Sequence, residues 1–182
     1  MKKALSIKQP WASLIAHGIK DIENRTWQTH FRGKIYIHSS AQQIKTKDIS
    51  FPSNEVWLNN VPDYMRKTAF FNKNITSAII GEVEIIDCVQ GHKSVWAEKS
   101  RDGEKPIWNW VLSNPVLYDR PILNVKGKLS FWQPEENEKC MNCDKKYFGN
   151  EPQFCCNGKD CGCMGLPTEP YLCDDCYKNF KR

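Results

Sequence analysis

Eight of the nine cysteines lie in the last quarter of the chain, at spacings that suit metal coordination. Two C-x2-C pairs, Cys140 with Cys143 and Cys173 with Cys176, enclose four further thiols. These inner thiols are Cys155, Cys156, Cys161 and Cys163. A C-x2-C turn directs two sulfurs toward one ion, and zinc prefers four thiolates. Eight thiols are enough for two tetrahedral sites, so we predict two zinc ions.

The spacing does not decide which cysteines share an ion. We favour the outer four on one zinc and the inner four on the other, although an interleaved pairing fits the spacing equally well. A redox dithiol is the other use of C-x2-C, but crowded pairs without a thioredoxin-like βαβ context favour metal. Cys88 stands apart, and its place at the end of an apolar run predicts a buried core thiol.

The zinc ions are expected to have a structural role. Residues 135–182 contain few large apolar side chains, so metal must supply folding energy, on the order of 10 kcal/mol per site. The same segment carries 7 Lys and Arg against 9 Asp and Glu. Zinc-bound thiolates would add negative charge, so the segment is predicted to dock on the basic domain or on a protein partner rather than to contact a phosphate backbone.

Cations and aromatic side chains alternate near the beginning of the chain. Residues 1–47 hold nine Lys or Arg and two acids, Asp21 and Glu23, which leaves an excess of 9 − 2 = +7. Lysine and arginine neutralise phosphates, and flat aromatic rings stack on bases. A solvated basic face is the alternative explanation for the charge, and core packing is the alternative for Trp11. Glu23 and Arg25 are two apart on a predicted strand and can form an ion pair.

The pattern of apolar residues predicts a mixed α+β domain that positions these groups. Short strands are predicted at residues 4–7, 21–27, 33–38, 78–89, 107–112, 116–118 and 128–132. Helices are predicted at residues 10–16, 40–48 and 55–68, the last interrupted by Pro62. Six or seven short strands with two or three helices suit a small, partly closed β-barrel.

A polar, acidic stretch at residues 133–138 predicts the boundary between a domain at 1–134 and a cysteine-rich module at 135–182. No segment is long enough to span a bilayer, and the first residues lack the apolar run of a signal peptide. Paired thiols that hold metal suit a reducing compartment, so we expect a cytoplasmic location and no membrane partner.

The sequence resembles the ASCH domain family through Gln9-Pro10-Trp11, Gly18-Ile19-Lys20, Glu23, Arg25, Trp27 and Arg32-Gly33, and again at Gly81 and Asp87-Cys88. The resemblance covers residues 5–134 loosely. It implies a PUA-like β-barrel whose cleft binds nucleic acid, most often RNA. The side chains that we predict to contact nucleic acid are Lys8, Gln9, Trp11, Lys20, Arg25, Trp27, Arg32 and His38.

Some proteins with the PUA-like fold are enzymes, which implies an alternative function. In a small bacterial amidohydrolase that deacetylates acetylated cytidine, a lysine and a threonine three residues later do the chemistry. Lys20 matches that lysine, whereas Glu23 stands where the threonine would be. The alternative is therefore a hydrolase of a modified nucleoside or RNA, amidohydrolase-like or ribonuclease-like, with Lys20 and Glu23 as catalytic acid and base.

Overall fold

In the computed structural model, the chain forms two compact units, Met1–Gln133 and Pro134–Arg182. The structure describes residues 2–43, 53–64, 66, 75–149 and 172–180. The first unit is a six-stranded sheet with helices, and the second contains a two-stranded hairpin and a helix. No helix in these described ranges combines the length and the apolar character needed to cross a membrane.

The first unit contains strands β1 (Lys3–Gln9), β2 (Ile22–Arg25), β3 (Gly33–Gln43), β4 (Ala78–Val89), β5 (Trp108–Ile122) and β6 (Phe131–Trp132), with helices α1 (Trp11–Ala16) and α2 (Asn54–Asn60). The second contains β7 (Glu138–Lys139), β8 (Lys146–Tyr147) and α3 (Asp174–Phe180). The large sheet has the order β2-β5-β4-β3-β1-β6. Only the β1–β3 pair is parallel in this sheet.

The large sheet curls until its two ends approach each other. Arg25 on the edge strand β2 donates a hydrogen bond of 3.0 Å to the Ser6 carbonyl on β1, although three strands lie between β2 and β1 in the sheet order. Phe131 on the opposite edge strand stacks on Trp110 of β5, with ring centroids 5.2 Å apart. The predicted α+β fold with a partly closed barrel is therefore confirmed as a half-barrel.

The interior of the half-barrel follows from alternation along its strands. In β4, Val83 and Ile85 are buried, whereas Glu82 and Glu84 on the other face are partly exposed. The core also contains Leu5, Ile7, Ile35, Ile37 and Trp110. Cys88 is buried among these residues, which confirms the predicted core thiol.

Helix α1 packs against β1, β3, β4 and β5, and five of its six residues are buried. The helix stops at His17, and Gly18 follows with φ +76°, a conformation that side chains with a Cβ rarely adopt. On the two sides of this turn, Leu14 of α1 and Ile22 of β2 form a second, smaller core with Val61, Trp96 and Ala97.

Three predicted elements differ from the structure. The helix predicted at residues 40–48 is wrong at its start, because β3 continues to Gln43 and its end pairs with Gln9; residues 44–48 lie outside the described residues. The strands predicted at 107–112 and 116–118 form one strand, β5. The helix predicted at 55–68 is divided at Pro62, as its sequence indicated: α2 ends at Asn60, and helical residues resume at Asp63, Tyr64 and Arg66.

Candidate nucleic-acid interface and metal centre

Three charged side chains form a connected row along β2 and the turn before it. The Lys20 ammonium donates to the Ile22 carbonyl and to the Glu23 carboxylate, the latter at 3.3 Å. The other Glu23 oxygen lies 3.0 Å from the Arg25 guanidinium. The Lys20 and Glu23 side chains are only 5% and 10% exposed, whereas Arg25 is 26% exposed. The ion pair predicted between Glu23 and Arg25 is therefore present, and Lys20 extends it inward.

Burial sets the electrostatics of this row. Loss of solvation lowers the pKa of Lys20, and the Glu23 carboxylate opposes that shift. Lys20 also lines a small, open surface pocket together with Gly18, Asp21 and Pro115. The pocket therefore has one buried cation in its wall, and its partner Glu23 is shared with Arg25.

Arg32 and Lys8 lie at the surface, in different environments. Arg32 donates to the carbonyls of Thr29 and Phe31 and pairs with Asp87 at 2.9 Å. Lys8 is exposed near the end of β1. The charge of Arg32 is therefore paired with Asp87 at the surface. Lys8, in contrast, has no acidic partner among the residues that the structure describes.

Gln9 and His38 are buried, with 2% and 1% of their surfaces exposed. The Gln9 amide donates to the Ile75 carbonyl and accepts from the Ser13 N–H. His38 donates through Nε2 to the Val125 carbonyl at 2.9 Å, and burial lowers its pKa. Both side chains use their polar atoms inside the fold, so neither faces a ligand in this structure.

The two predicted tryptophans lie in separate clusters. Trp11 packs edge-to-face against Trp57 and Trp96, at centroid distances of 6.2 and 6.4 Å. Trp27 contacts Trp110 at 4.5 Å instead, and it contacts Phe131 at 5.7 Å. The structure thus joins Lys20, Glu23 and Arg25 directly, but it does not gather all the predicted residues in one hollow.

Sequence reasoning identified Trp27 but missed the two rings that pack with it, at the end of the half-barrel where β2 ends and β3 begins. Trp27, Phe31 and Phe131, here called the aromatic mouth, are partly buried rings that pack against the main core. The Lys3 ammonium lies over Phe31 and Phe131, at 4.6 and 5.3 Å from the ring centroids. The available signal in the sequence was weak: Phe31 stands next to the cation Arg32, and Lys3 lies near the predicted first strand.

The outer four cysteines meet in the second unit. The Sγ atoms of Cys140, Cys143, Cys173 and Cys176 all lie within 4.8 Å of one another, so these cysteines can bind a metal ion. The first pair lies in the turn between β7 and β8, and the second pair begins α3. Cys143 and Cys173 sulfurs are 3.7 Å apart, close to the roughly 3.8 Å that tetrahedral zinc with bonds of about 2.3 Å requires.

The thiol chemistry also suits a cation. Burial raises the pKa of Cys140, but backbone N–H groups of Cys173 and Asn142 outweigh that effect and lower the pKa to about 6. The Lys145 N–H lowers the pKa of Cys143, whereas hydrogen bonds with neighbouring thiols raise it to about 12. Because zinc binds thiolates, a bound cation would favour the deprotonated forms of Cys140 and Cys143.

The preferred pairing placed these four outer thiols on one ion, and the structure brings them together. The inner cysteines of that prediction, Cys155, Cys156, Cys161 and Cys163, lie outside the described residues. The Asn142 side chain donates to the Cys176 sulfur at 3.3 Å, so a polar group already supports one sulfur.

The first unit is a curled α+β half-barrel with a buried lysine-carboxylate pair, and the second contains four cysteines that could bind a metal ion. A family model described as the ASCH domain matches residues 5–121. This match covers more than half of the chain, so the chain belongs to the ASCH domain family. The resemblance seen in the sequence is thereby confirmed.

Two curated relatives carry the name activating signal cointegrator 1. The chain is 29% identical to the human protein over 133 residues, which is 71% of this chain and 22% of the relative. It is 33% identical to the mouse protein over 85 residues, or 47% of this chain and 14% of the relative. The chain thus spans about a fifth or less of the length of these relatives, and the similarity concerns one part of them.

Proposed function

We propose that the half-barrel binds nucleic acid, with RNA preferred over DNA, and that residues 1–134 and 135–182 act as separate domains. The ASCH family match suggests an association with nucleic acid. RNA is the preferred ligand because specific RNA recognition uses unpaired bases that stack on aromatic side chains. Thiols that bind metal must stay reduced, so we propose a location in a reducing compartment, the cytoplasm.

One observation carries this proposal: the basic segment 1–47 contains only two acids of its own, and one of them, Glu23, is buried in an ion pair. Glu23 is buried between Lys20 and Arg25, and Asp21 accepts a hydrogen bond from the Ser94 hydroxyl. Lys8 is exposed, and Arg25 is partly exposed. Because positive charge at the surface attracts a phosphate backbone, this side of the half-barrel is suited to an electrostatic interface.

Salt dependence of binding tests the proposal. Fluorescence anisotropy would compare single-stranded RNA, single-stranded DNA and duplex RNA of one sequence between about 50 and 200 mM salt. We expect RNA affinity to fall steeply with salt, and each of Lys8→Gln and Arg25→Gln to lower the slope of log K against log salt by about 1. Lys93→Gln, at an exposed position in another loop, is the matched control. Affinity indifferent to ionic strength would contradict the proposal.

We further propose that the cysteine module holds two structural zinc ions and contacts a protein partner. The four converging sulfurs support one ion with the outer cysteines as ligands. Metal analysis of the full chain by mass spectrometry is expected to give two zinc ions per chain. The double variant Cys143→Ser and Cys176→Ser should lose one zinc ion and keep the other, whereas interleaved pairing would weaken the binding of both ions.

The proposed protein partner has its own test. The 135–182 fragment, refolded with zinc, is expected to capture a protein partner.

The hydrolase alternative also remains open to a direct test. Lys20 and Glu23 are in contact beside a pocket, which is the observation that favours it. However, Glu23 accepts from both Lys20 and Arg25, so its lone pairs are held by a fixed ion pair. We therefore expect no turnover of acetylated cytidine or of labelled RNA. Turnover by the wild type that disappears in Lys20→Ala and Glu23→Gln would instead establish catalysis.

A further inference from the structure

The aromatic mouth lies at the opposite end of strand β2 from Lys20. Arg25, the last residue of β2, pairs in register with Trp108, the first residue of β5. Gly33, the first residue of β3, pairs with Ile85 near the end of β4, and Leu5 of β1 pairs with Phe131. These registers bring Trp27, Phe31 and Phe131 to one end of the half-barrel, so the mouth is a site distinct from the Lys20 pocket.

The rings of the mouth pack against the main core on one side, and their other side stays partly exposed. Phe131 stacks on the fully buried Trp110 and meets Phe31 at 5.2 Å and Trp27 at 5.7 Å. Trp27, Phe31 and Phe131 each remain partly exposed. A rigid set of aromatic rings with one open side is suited to stacking with another flat ring.

Hydrogen bonds fix the loop that carries Phe31. The Phe31 N–H donates to the Thr29 hydroxyl at 3.1 Å, and the Thr29 N–H points at the Cys88 sulfur. Arg32 bonds the carbonyls of Thr29 and Phe31 and pairs with Asp87 at 2.9 Å. The ring of Phe31 is thus positioned before any ligand arrives, which reduces the entropy cost of binding.

Lys3 adds a cation to these rings. Its ammonium lies over Phe31 and Phe131, and no acidic side chain pairs with it among residues 2–43, 53–64, 66, 75–149 and 172–180. A lysine ammonium sits on a flexible four-carbon stem, so it can move from a ring face to a nearby phosphate. The cation then leaves the ring face open for a base while it neutralises the backbone of the same nucleotide.

We propose that the aromatic mouth binds one unpaired base of a single-stranded nucleic acid, with Lys3 holding the adjacent phosphate. This inference rests on the proposed nucleic-acid binding and names the surface that selects single strands. A paired base inside a duplex cannot present its face to Phe31 and Phe131, because it is stacked between its neighbours. The mouth therefore discriminates strand state, while Lys8 and Arg25 supply general electrostatic attraction.

Binding of a fluorescein-labelled oligouridine of about 10 nucleotides, within the site sizes of single-strand binders, tests this inference. The same RNA annealed to its complement serves as the duplex probe. Phe31→Leu keeps an apolar side chain but removes the ring, Phe31→Tyr restores a ring, and Lys3→Gln removes the cation. Tyr64→Leu, at an exposed position outside the mouth, is the matched control. Thermal unfolding of each variant checks that the half-barrel is intact.

We expect Phe31→Leu to weaken binding of the single strand about tenfold, and Phe31→Tyr and Tyr64→Leu to retain it. Lys3→Gln should lower the salt slope by about 1. Duplex affinity should change less than about twofold, since only unpaired bases stack in the mouth. Wild-type binding with unchanged affinity in both Phe31→Leu and Lys3→Gln overturns the mouth and leaves the general function standing. Absence of any wild-type nucleic-acid binding overturns both.

Discussion

Replacing Glu23 with glutamine would remove the charge that balances a buried lysine. In Glu23→Gln, Lys20 keeps its hydrogen bond to the Ile22 carbonyl but loses the carboxylate 3.3 Å away. Lys20 is only 5% exposed, so water solvates the unpaired ammonium poorly. Breaking a buried pair by removing one partner costs about 3–5 kcal/mol, because it leaves an uncompensated charge.

The reverse change should cost less. In Lys20→Met, Glu23 keeps the Arg25 guanidinium at 3.0 Å, so the remaining charge is still paired. The loss is then closer to that of ordinary hydrogen bonds, about 1–2 kcal/mol.

The cost of Glu23→Gln can be expressed as a change in melting temperature. For a unit of 133 residues the unfolding entropy is about 0.28 kcal/mol per kelvin, so a loss of about 3 kcal/mol lowers the Tm by about 11 °C.

Tryptophan fluorescence can follow this unfolding selectively, because all seven tryptophans lie in residues 11–132, within the first unit. Urea and thermal unfolding of Glu23→Gln and Lys20→Met would be compared with Glu84→Gln. Glu84 lies on the outer face of β4 and contacts the Asn114 side chain. This surface control should stay within about 0.5 kcal/mol of the wild type.

The pH dependence gives the sharper result. Burial lowers the folded-state pKa of Lys20 below 10.5, so between that pKa and 10.5 the unfolded chain binds more protons than the folded one. Stability attributed to Lys20 therefore rises with pH in this window, and the deficit of Glu23→Gln should shrink as the lysine becomes neutral. Equal losses in Lys20→Met and Glu23→Gln, or a deficit that does not change with pH, would refute this reasoning.

Three other outcomes are expected. Gly81→Ala should destabilise the first unit by about 2 kcal/mol or more in urea unfolding, because a Cβ there overlaps the Val116 carbonyl. Burial lowers the pKa of His38 below 6.5, so stability present above 6.5 should decline as pH falls toward the folded-state pKa, and His38→Gln should flatten that slope in melts at pH 5 to 8. Chelation of metal should unfold the second unit, measured by loss of amide protection in α3, while tryptophan fluorescence of the first unit stays unchanged.

The sequence was sufficient for the apolar elements and for local pairs. The alternation in β4 and the cap at Gly18 follow from residue type alone, as does the ion pair of Glu23 with Arg25. The continuity of β5 as one strand could not be predicted from residue type, because a proline such as Pro115 is expected to interrupt a strand. Pro115 falls in a register shift of β5 against β4, between Ser113 and Val116, and beyond the β2 pairing that ends at Val111, so its missing N–H costs little.

The candidate site depended on contacts that spacing cannot reveal. Lys3, Phe31 and Phe131 are brought together by strand registers that join distant parts of the chain, above all Leu5 with Phe131. Conversely, Gln9 and His38 are predicted contacts of nucleic acid, but the packed interior takes up their hydrogen bonds. A polar residue near a cleft is indistinguishable in sequence from one that supports the core.

The hydrogen bond from Arg25 to Ser6 has an energetic consequence for the whole half-barrel. One guanidinium both fastens the edge strand to β1 and offers positive charge, while its buried Nε has no hydrogen-bond partner in the described part of the chain. An anion that draws Arg25 away from Ser6 must therefore loosen the strand, and fraying of the strand must in turn free Arg25 for an anion. Affinity and opening of the barrel edge are thus two measures of the same equilibrium.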